Sequence, residues 1–414
     1  MKVLRVTGCL LLSAFVLVAE LGCGDYYRPV ANPVISPGGQ PQNTHYAFVV
    51  TNNPAGQGSV MELDVSGDTT LSVNSMGAGS IAEAFPASSL ALYVANSGDD
   101  TVSEFLPTLA GAITTISLLS GSHPVALNSA GNSSMYVLNS GSNSACPNTG
   151  SVSVIAASTL TVTSTTCVGH NPTTMLQSSP GGYVYILNQA DGNVSVFDPS
   201  GPSIVGTMQT DPNPVAITAS PNESWIFVLT QGDGVHPGKL DIALNGQTFV
   251  SASVPLGVQP NFGFPDSNRN RLYVTNGGDN TVSVFDTSNI TPTASPAMAT
   301  LATVPVGTKP IGVTALANGS YFYTANATSG DVTVVSANSF SPLSTVALPA
   351  GANPVWIASD PSSSKVYVAD QGTGQVSIIQ TSNNTLSQNV SAPTQVSGCT
   401  SSCALQSPVM VLTQ

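Results

Sequence analysis

The chain has 414 residues, a formal net charge of −13 and only 7% charged residues. No cluster of Lys or Arg exists, which excludes a surface that neutralises nucleic-acid phosphates. Apolar residues make up 41% and fall into many short β-branched runs, unlike the composition of disordered Gly/Pro-rich chains.

Lys2 and Arg5 precede an apolar run from Val6 to Ala19, too short for a typical spanning helix and of the form of a secretion signal. Residues 1–22 are therefore expected to be a leader. Leu21-Gly22-Cys23 resembles the end of a bacterial lipoprotein signal, in which the cysteine becomes the lipidated first residue. Glu20 departs from that motif, which wants an apolar residue there. Residues 23–44, with Pro29, Pro33, Pro37 and Pro41 and no apolar periodicity, read as an extended tether. Residues 45–414 read as one domain.

From His45 onward a unit recurs. It is clearest between Arg271 and Asp286, where two β-branched and aromatic runs flank Gly277-Gly-Asp-Asn280, a hairpin signal. Tyr-Val-x-Asn elements stand at Tyr93–Asn96, Tyr136–Asn139, Tyr185–Asn188 and Tyr273–Asn276. Looser copies stand at Val49–Asn52, Phe227–Thr230, Tyr323–Asn326 and Tyr367–Asp370. A second marker runs in phase: a proline opens an apolar run at Pro124, Pro172, Pro214, Pro260, Pro310, Pro354 and Pro408, often with Gly three residues earlier. Ser80-Ile-Ala-Glu-Ala takes the same slot without proline.

Each period of roughly 45 residues reads as four strands, the signature of a β-propeller blade. The first unit lacks its first strand, and Pro408 to Thr413 is a lone first strand. That strand should complete the first blade and close the ring without a free edge. The expectation is an all-β, eight-bladed propeller, with seven blades as the alternative. These residues resemble the YVTN-repeat, YncE-like propellers over roughly 45 to 414. That resemblance implies the fold, and it implies a function only weakly. Characterised relatives mostly have seven blades, and related propellers include sugar-lactone hydrolases and quinone-dependent dehydrogenases.

The chain carries no H-E-x-x-H, C-x-x-C, G-x-S-x-G or phosphate-binding loop. Two tryptophans, Trp225 and Trp356, are too few for the Trp-rich blade docking of quinoprotein propellers. No cofactor or metal is expected. Arg269 and Arg271 read as solvated turn residues, and Asp99-Asp100 and Asp279-Asn280 as turn chemistry rather than calcium ligands. The asparagine ending each second strand reads likewise as a strand-to-turn residue. Charge scarcity favours a non-catalytic binding or scaffold propeller over a lactonase-like hydrolase.

Cys146, Cys167, Cys399 and Cys403 are an even set for an oxidising compartment. The meander brings Cys146 and Cys167 to one face, so they should pair; Cys399 and Cys403 should close a small loop. The residues preceding the marker prolines, His123, Asn171, Asn213, Gln259, Lys309 and Asn353, followed by Ser407, are all polar. In a meander they surround the channel mouth, where binding is favoured. The simpler account is that residues before proline are extended and solvent-exposed. The expected partner is a protein or polar small molecule, the expected state a monomer, and the expected location extracytoplasmic with membrane attachment through lipid alone.

Overall fold

The computed structural model describes residues 46–53, 56–65, 67–84, 91–106, 112–129, 133–178, 182–232, 236–290, 297–392 and 407–413. Cys23, Cys399 and Cys403 lie outside them, as do the leader and tether.

The described residues form eight four-stranded antiparallel sheets arranged in a ring, an eight-bladed β-propeller without helices. Blade 1 takes β1 (Tyr46–Asn52), β2 (Gln57–Asp64) and β3 (Thr69–Ala78) from the start of the ring and β32 (Ser407–Thr413) from its end. Blade 2 holds β4 to β7 between Ser80 and Ser117, blade 3 holds β8 to β11 between Pro124 and Cys167, and blade 4 holds β12 to β15 between Pro172 and Gln209. Blade 5 runs from Pro214 to Pro255, blade 6 from Pro260 to Pro305, blade 7 from Pro310 to Ala347 and blade 8 from Pro354 to Ser391, as β16 to β31. Each sheet is a meander in chain order except blade 1, whose order is β3-β2-β1-β32.

The burial pattern follows from each strand's place. The second strands are buried on both faces, as in β21 (Arg271–Asn276) and β29 (Lys365–Asp370), because neighbouring blades cover both. They therefore read as continuous β-branched and aromatic runs rather than as an alternation. The fourth strands alternate toward solvent, as in β15 (Ser203–Gln209). Aromatic contacts cross between blades: Tyr273 meets Phe322 with centroids 4.6 Å apart, and Tyr136 meets Phe197 at 5.8 Å.

The first strands pack against one another in succession around the axis. Every one of them carries a bulge just after its proline or serine, for example between Pro260 and Phe262 and between Pro354 and Trp356. The bulge leaves Asn261 or Val355 without a partner residue and turns the strand at the mouth.

The ring closes as the repeat count requires. β32 pairs antiparallel with β1 from Ala47↔Thr413 to Asn52↔Ser407. Met410 and Val411 are fully buried, and Trp356 of blade 8 donates its indole N–H to the Val411 carbonyl at 2.9 Å. A buried cation adds to the seam. Lys365 of blade 8 is 8% exposed and bonds the Val65 carbonyl and the Asp68 carboxylate of blade 1, both at 2.5 Å. Gln388 donates to the Asp68 carbonyl at 3.0 Å.

Removing residues 407–414 should therefore destabilise the whole ring, since it bares the edge of β1 and the flank of blade 8. Met410→Ala is the milder version and should cost about 2–5 kcal/mol. Chemical denaturation measures both; a truncated chain unfolding at the full-length midpoint would contradict this account of closure.

Candidate functional site

The connection from each fourth strand to the next first strand lies beside the turns between second and third strands. Backbone bonds join them, such as Leu118 N–H to the Asp100 carbonyl at 2.9 Å. Together they form one face of the ring, at the mouth of the channel. His123, Asn171, Asn213, Gln259, Lys309 and Asn353 are all exposed there.

Their backbone is not extended, as a residue before proline would ordinarily be. All six are left-handed, with φ of 47°, 46°, 56°, 52°, 56° and 45°, and Gly79 takes the slot before Ser80 at 66°. A shared tertiary bond fixes this. The carbonyl of each accepts the N–H of the residue after the second strand: Ser140, Gln189, Gln231, Gly277, Ala327 and Gln371, at 2.9 to 3.3 Å. Asn and His tolerate that conformation better than most residues, which accounts for three asparagines and a histidine in the slot. Ser407, before the closing strand, does not share it.

The side chains differ in freedom. Asn171 Nδ2 donates to Gln189 Oε1 at 3.2 Å, and Asn213 donates to the Gly232 carbonyl. His123 Nδ1 lies 3.0 Å from the Ser97 carbonyl, and His170 Nδ1 lies 2.9 Å from Asp191 Oδ1. In both rings Nδ1 faces an acceptor, which makes it the donating nitrogen.

The turn carboxylates are committed to backbone. Asp191 accepts from His170 N–H at 2.7 Å and Asp279 from Val258 N–H at 2.6 Å; Asp99 bonds the Ala78 amide. Asp100 grips the next blade's connection with both oxygens, accepting from Gly121 N–H at 2.8 Å and His123 N–H at 2.7 Å. Asn280 does so with one, accepting from Lys309 N–H at 2.8 Å. These turn residues thus fasten the neighbouring connection rather than their own turn, and only Asp100 and Asn280 take the left-handed backbone that a turn residue accepts.

The asparagine ending the second strand is a different matter. It is neither a solvated turn residue nor a ligand ring but a buried bridge. Asn96, Asn139, Asn188, Asn276 and Asn326 are fully buried. Their amides donate to hydroxyls two residues into the third strand: Ser103, Ser153, Ser195, Ser283 and Thr333, at 2.8 to 2.9 Å. In blades 4 and 6 the Oδ1 also accepts from Gly169 or Gly257 in the incoming connection. A Cβ on Gly169 would sit 2.5 Å from Asn188 Cγ, so glycine is required there.

Blade 5 solves the same problem differently. Thr230 replaces the asparagine, and Asp241 replaces the third-strand serine. Asp241 takes the Asp211 N–H at 2.8 Å and the Ser253 hydroxyl at 2.6 Å, while Lys239 pairs with Asp211 at 2.8 Å. Burial pushes the Asp241 carboxyl up to about 6. Burial also acts on Asp211, but its bond from Lys239 leaves it below the usual carboxylate range. Blade 8 carries Asp370 in the asparagine slot. It accepts from the Ser377 hydroxyl, and its other oxygen is buried without a partner. Desolvation raises its pKa to about 7.

The opposite face is built from contacts between blades. Arg269 donates to Asn338 at 2.9 Å, and Arg271 bonds the Ala337 carbonyl and lies 4.7 Å from the Phe340 ring centre. The pair is half-buried against blade 7, not solvated. Two tyrosines of the repeat act likewise: Tyr185 Oη donates to Asn245 at 2.9 Å and accepts from Gly246 N–H at 2.6 Å, and Tyr323 reaches Asn384 at 2.5 Å. Tyr93 instead bonds Glu104 of its own blade at 2.6 Å.

Cys146 and Cys167 are bonded, with Cα atoms 5.3 Å apart. Cys146 is fully buried in the longest described turn of the mouth face, between Asn139 and Ser151. Asn143 organises that turn, donating to Ser122 at 3.3 Å and to Ser151 at 3.0 Å.

No family model and no curated protein matches this chain. Solved structures do. Apo AztD from Citrobacter koseri is 11% identical over 90% of this chain and 98% of that one, with a TM-score of 0.58. The periplasmic gluconolactonase PpgL of Pseudomonas aeruginosa is 14% identical over 89% and 99%, with a TM-score of 0.57. The dihydro-heme d1 dehydrogenase NirN in complex with DHE is 12% identical over 94% and 77%, with a TM-score of 0.66. At such identities the likeness is one of fold.

Two outcomes follow from the buried groups. Asp370 holds its proton in the fold up to about pH 7 and loses it near pH 4 when unfolded. Its contribution to stability therefore falls as pH rises from 4 to 7 and stays low above. Asp370→Asn should stabilise the protein by roughly 2–4 kcal/mol at pH 8 and by almost nothing at pH 4. Equal effects at both pH values in thermal melts would refute the burial of a carboxyl there. Separately, replacing Cys146 and Cys167 by Ser should cost on the order of 3 kcal/mol, read as a lowered denaturation midpoint that reductant no longer shifts.

Proposed function

We propose that this chain is an extracytoplasmic, non-catalytic binding or scaffold propeller of the YVTN-repeat kind, holding a polar ligand or partner segment at the channel mouth. The observation that carries the reading is the ring of six exposed polar side chains held at one left-handed backbone position by one repeated hydrogen bond. Six such groups on a rigid scaffold present hydrogen-bonding atoms at little entropic cost on binding. The nearby turn acids Asp99, Asp100, Asp191 and Asp279 are engaged by backbone N–H groups. The two carboxyls raised to about 6 and 7, Asp241 and Asp370, are buried, so neither can meet a substrate as a general acid.

A lactonase-like hydrolase is the second reading, motivated by the fold shared with PpgL and with a putative 6-phosphogluconolactonase of Bacteroides fragilis. Turnover on a lactone panel, abolished by His170→Asn or Asp191→Asn, would establish it.

The Cys146–Cys167 disulfide supports an oxidising compartment. Among the described residues no helix is long and apolar enough to cross a membrane. With residues 1–22 as leader, 23–44 as tether and Cys23 lipidated, the propeller would stand off a membrane as a monomer with no nucleic-acid partner.

The test replaces His123, Lys309 and Asn353 together by Gly, which suits their left-handed backbone. Affinity for a cross-linked partner should fall at least tenfold with the melting temperature unchanged. Unchanged affinity, with loss instead on Glu223→Ala, would move the site to the opposite face.

A further inference from the structure

The repeats can be compared with one another, and one comparison exposes a vacancy. The connections entering blades 3 and 8 have the same length and the same shape. Gly121 and His123 have φ of 82° and 47°; Gly351 and Asn353 have 79° and 45°. Their backbone bonds correspond one by one. Ser122 N–H to Leu119 at 3.1 Å matches Ala352 to Pro349 at 3.0 Å. Gly141 to Ser122 at 2.8 Å matches Gly372 to Ala352 at 2.7 Å. Ser140 to His123 at 3.1 Å matches Gln371 to Asn353 at 3.3 Å. Leu118 to Asp100 at 2.9 Å matches Leu348 to Gly330 at 3.1 Å.

One pair of bonds breaks the correspondence. At blade 3 the Asp100 carboxylate accepts from the amides of Gly121 and His123. At blade 8 the place of Asp100 is taken by Gly330, which has no side chain. A Cβ built on Gly330, or on Gly351, meets no atom within 4 Å. Among the described residues nothing accepts from the amides of Gly351 and Asn353. Two N–H groups are thus held in the arrangement that grips a carboxylate one quarter-turn and more around the ring, with open space before them.

We propose that this connection is a carboxylate-binding site, in which the amides of Gly351 and Asn353 take the two oxygens of an external carboxylate. Concave backbone N–H pairs of this kind bind anions, and charge-assisted bonds to them are stronger than neutral ones. Two charged residues border it. Lys309 belongs to the same corner, since its carbonyl bonds Ala327 N–H three residues before Gly330. Asp331 follows Gly330, but its Oδ1 is turned to the Asn326 amide at 2.6 Å. The site deepens the reading of the mouth as the binding face by naming the chemistry of the ligand: a free carboxylate, from a peptide C-terminus or from a small organic acid.

The experiment follows the Gly351 and Asn353 amide resonances of the folded protein during titration with acetate, with N-acetyl-Ala-Ala, and with the C-terminal amide of that dipeptide. Both acids should shift the two resonances saturably, and the amide should not. Tighter binding of the dipeptide acid than of acetate assigns a peptide C-terminus; equal binding assigns a small acid. Gly330→Asp should fill the site from within, as Asp100 does, and weaken both acids at least tenfold. Aspartate is tolerated at that backbone position, since Asp100 holds it at φ 55°. The proposal fails if neither acid shifts Gly351 and Asn353, or if Gly330→Asp titrates like the parent. Either failure leaves the mouth itself to be judged by the separate His123, Lys309 and Asn353 replacement, which keeps both amides.

Discussion

The pairing of β32 with β1 is the constraint on which the remainder depends. Each blade is apolar on both faces of its inner strands, so a sheet removed from the ring would expose buried residues on two sides. Packing on neighbours satisfies seven of the eight junctions in chain order. The eighth must join residues more than 350 positions apart, Ala47 with Thr413 among them. Strand pairing supplies a main-chain ladder across that junction, and Lys365 supplies a buried cation to blade 1. Both act through the loop-closing end of the chain, so the ring is the cooperative unit rather than the blade.

Within that ring the repeat motif works at two levels. In blades 4 and 7 the tyrosine end of the second strand reaches the outer turn of the next blade, as Tyr185 does to Asn245 and Gly246, whereas Tyr93 bonds Glu104 within its own blade. The asparagine end fastens the third strand and the incoming connection of its own blade. One short motif thus serves contacts within a blade and between blades. Blade 5 shows that the requirement is the hydrogen bond and not the residue: the acceptor moves from the second strand to Asp241 on the third, and Asp211 can then stand where other blades need glycine.

Much of this was legible in the sequence. Blade number, strand order, ring closure and the Cys146–Cys167 pair all follow from periodicity, because period and phase constrain topology directly. The side-chain roles were less accessible. Asn at a strand end has the same composition signal whether it bonds its own turn or is buried against a serine seven residues on. Arg269 and Arg271 look like solvated turn residues because their partners, Asn338 and Ala337, lie more than sixty positions away. The left-handed backbone before six of the seven marker prolines ran against the local preference of that position, and a tertiary bond decided it. The amide and imidazole side chains in the slot were the available hint, since His123, Asn171, Asn213 and Asn353 are residue types that accept positive φ.

A repeat protein carries its own controls, and this gives single substitutions between blades more weight than they would have elsewhere. Asn139 and Asp370 sit in the same slot of blades 3 and 8, and both leave an Oδ1 buried without a partner. In these two blades the connection is the longer form; Asn326 of blade 7 has the same unpartnered Oδ1 beside a shorter connection, because there the Gly307 amide bonds the Thr333 hydroxyl instead. At blade 3 the Gly121 amide, which a shorter connection would aim inward as Gly169 does in blade 4, turns to the preceding blade and meets Asp100. Given that common backbone, the difference between Asp100 and Gly330 is a difference in one side chain alone. An acid at this position completes the structure internally, whereas glycine leaves two oriented donors on the face where the other polar side chains converge. The same backbone thus completes the structure with its own carboxylate in one blade and offers that pair of donors outward in another.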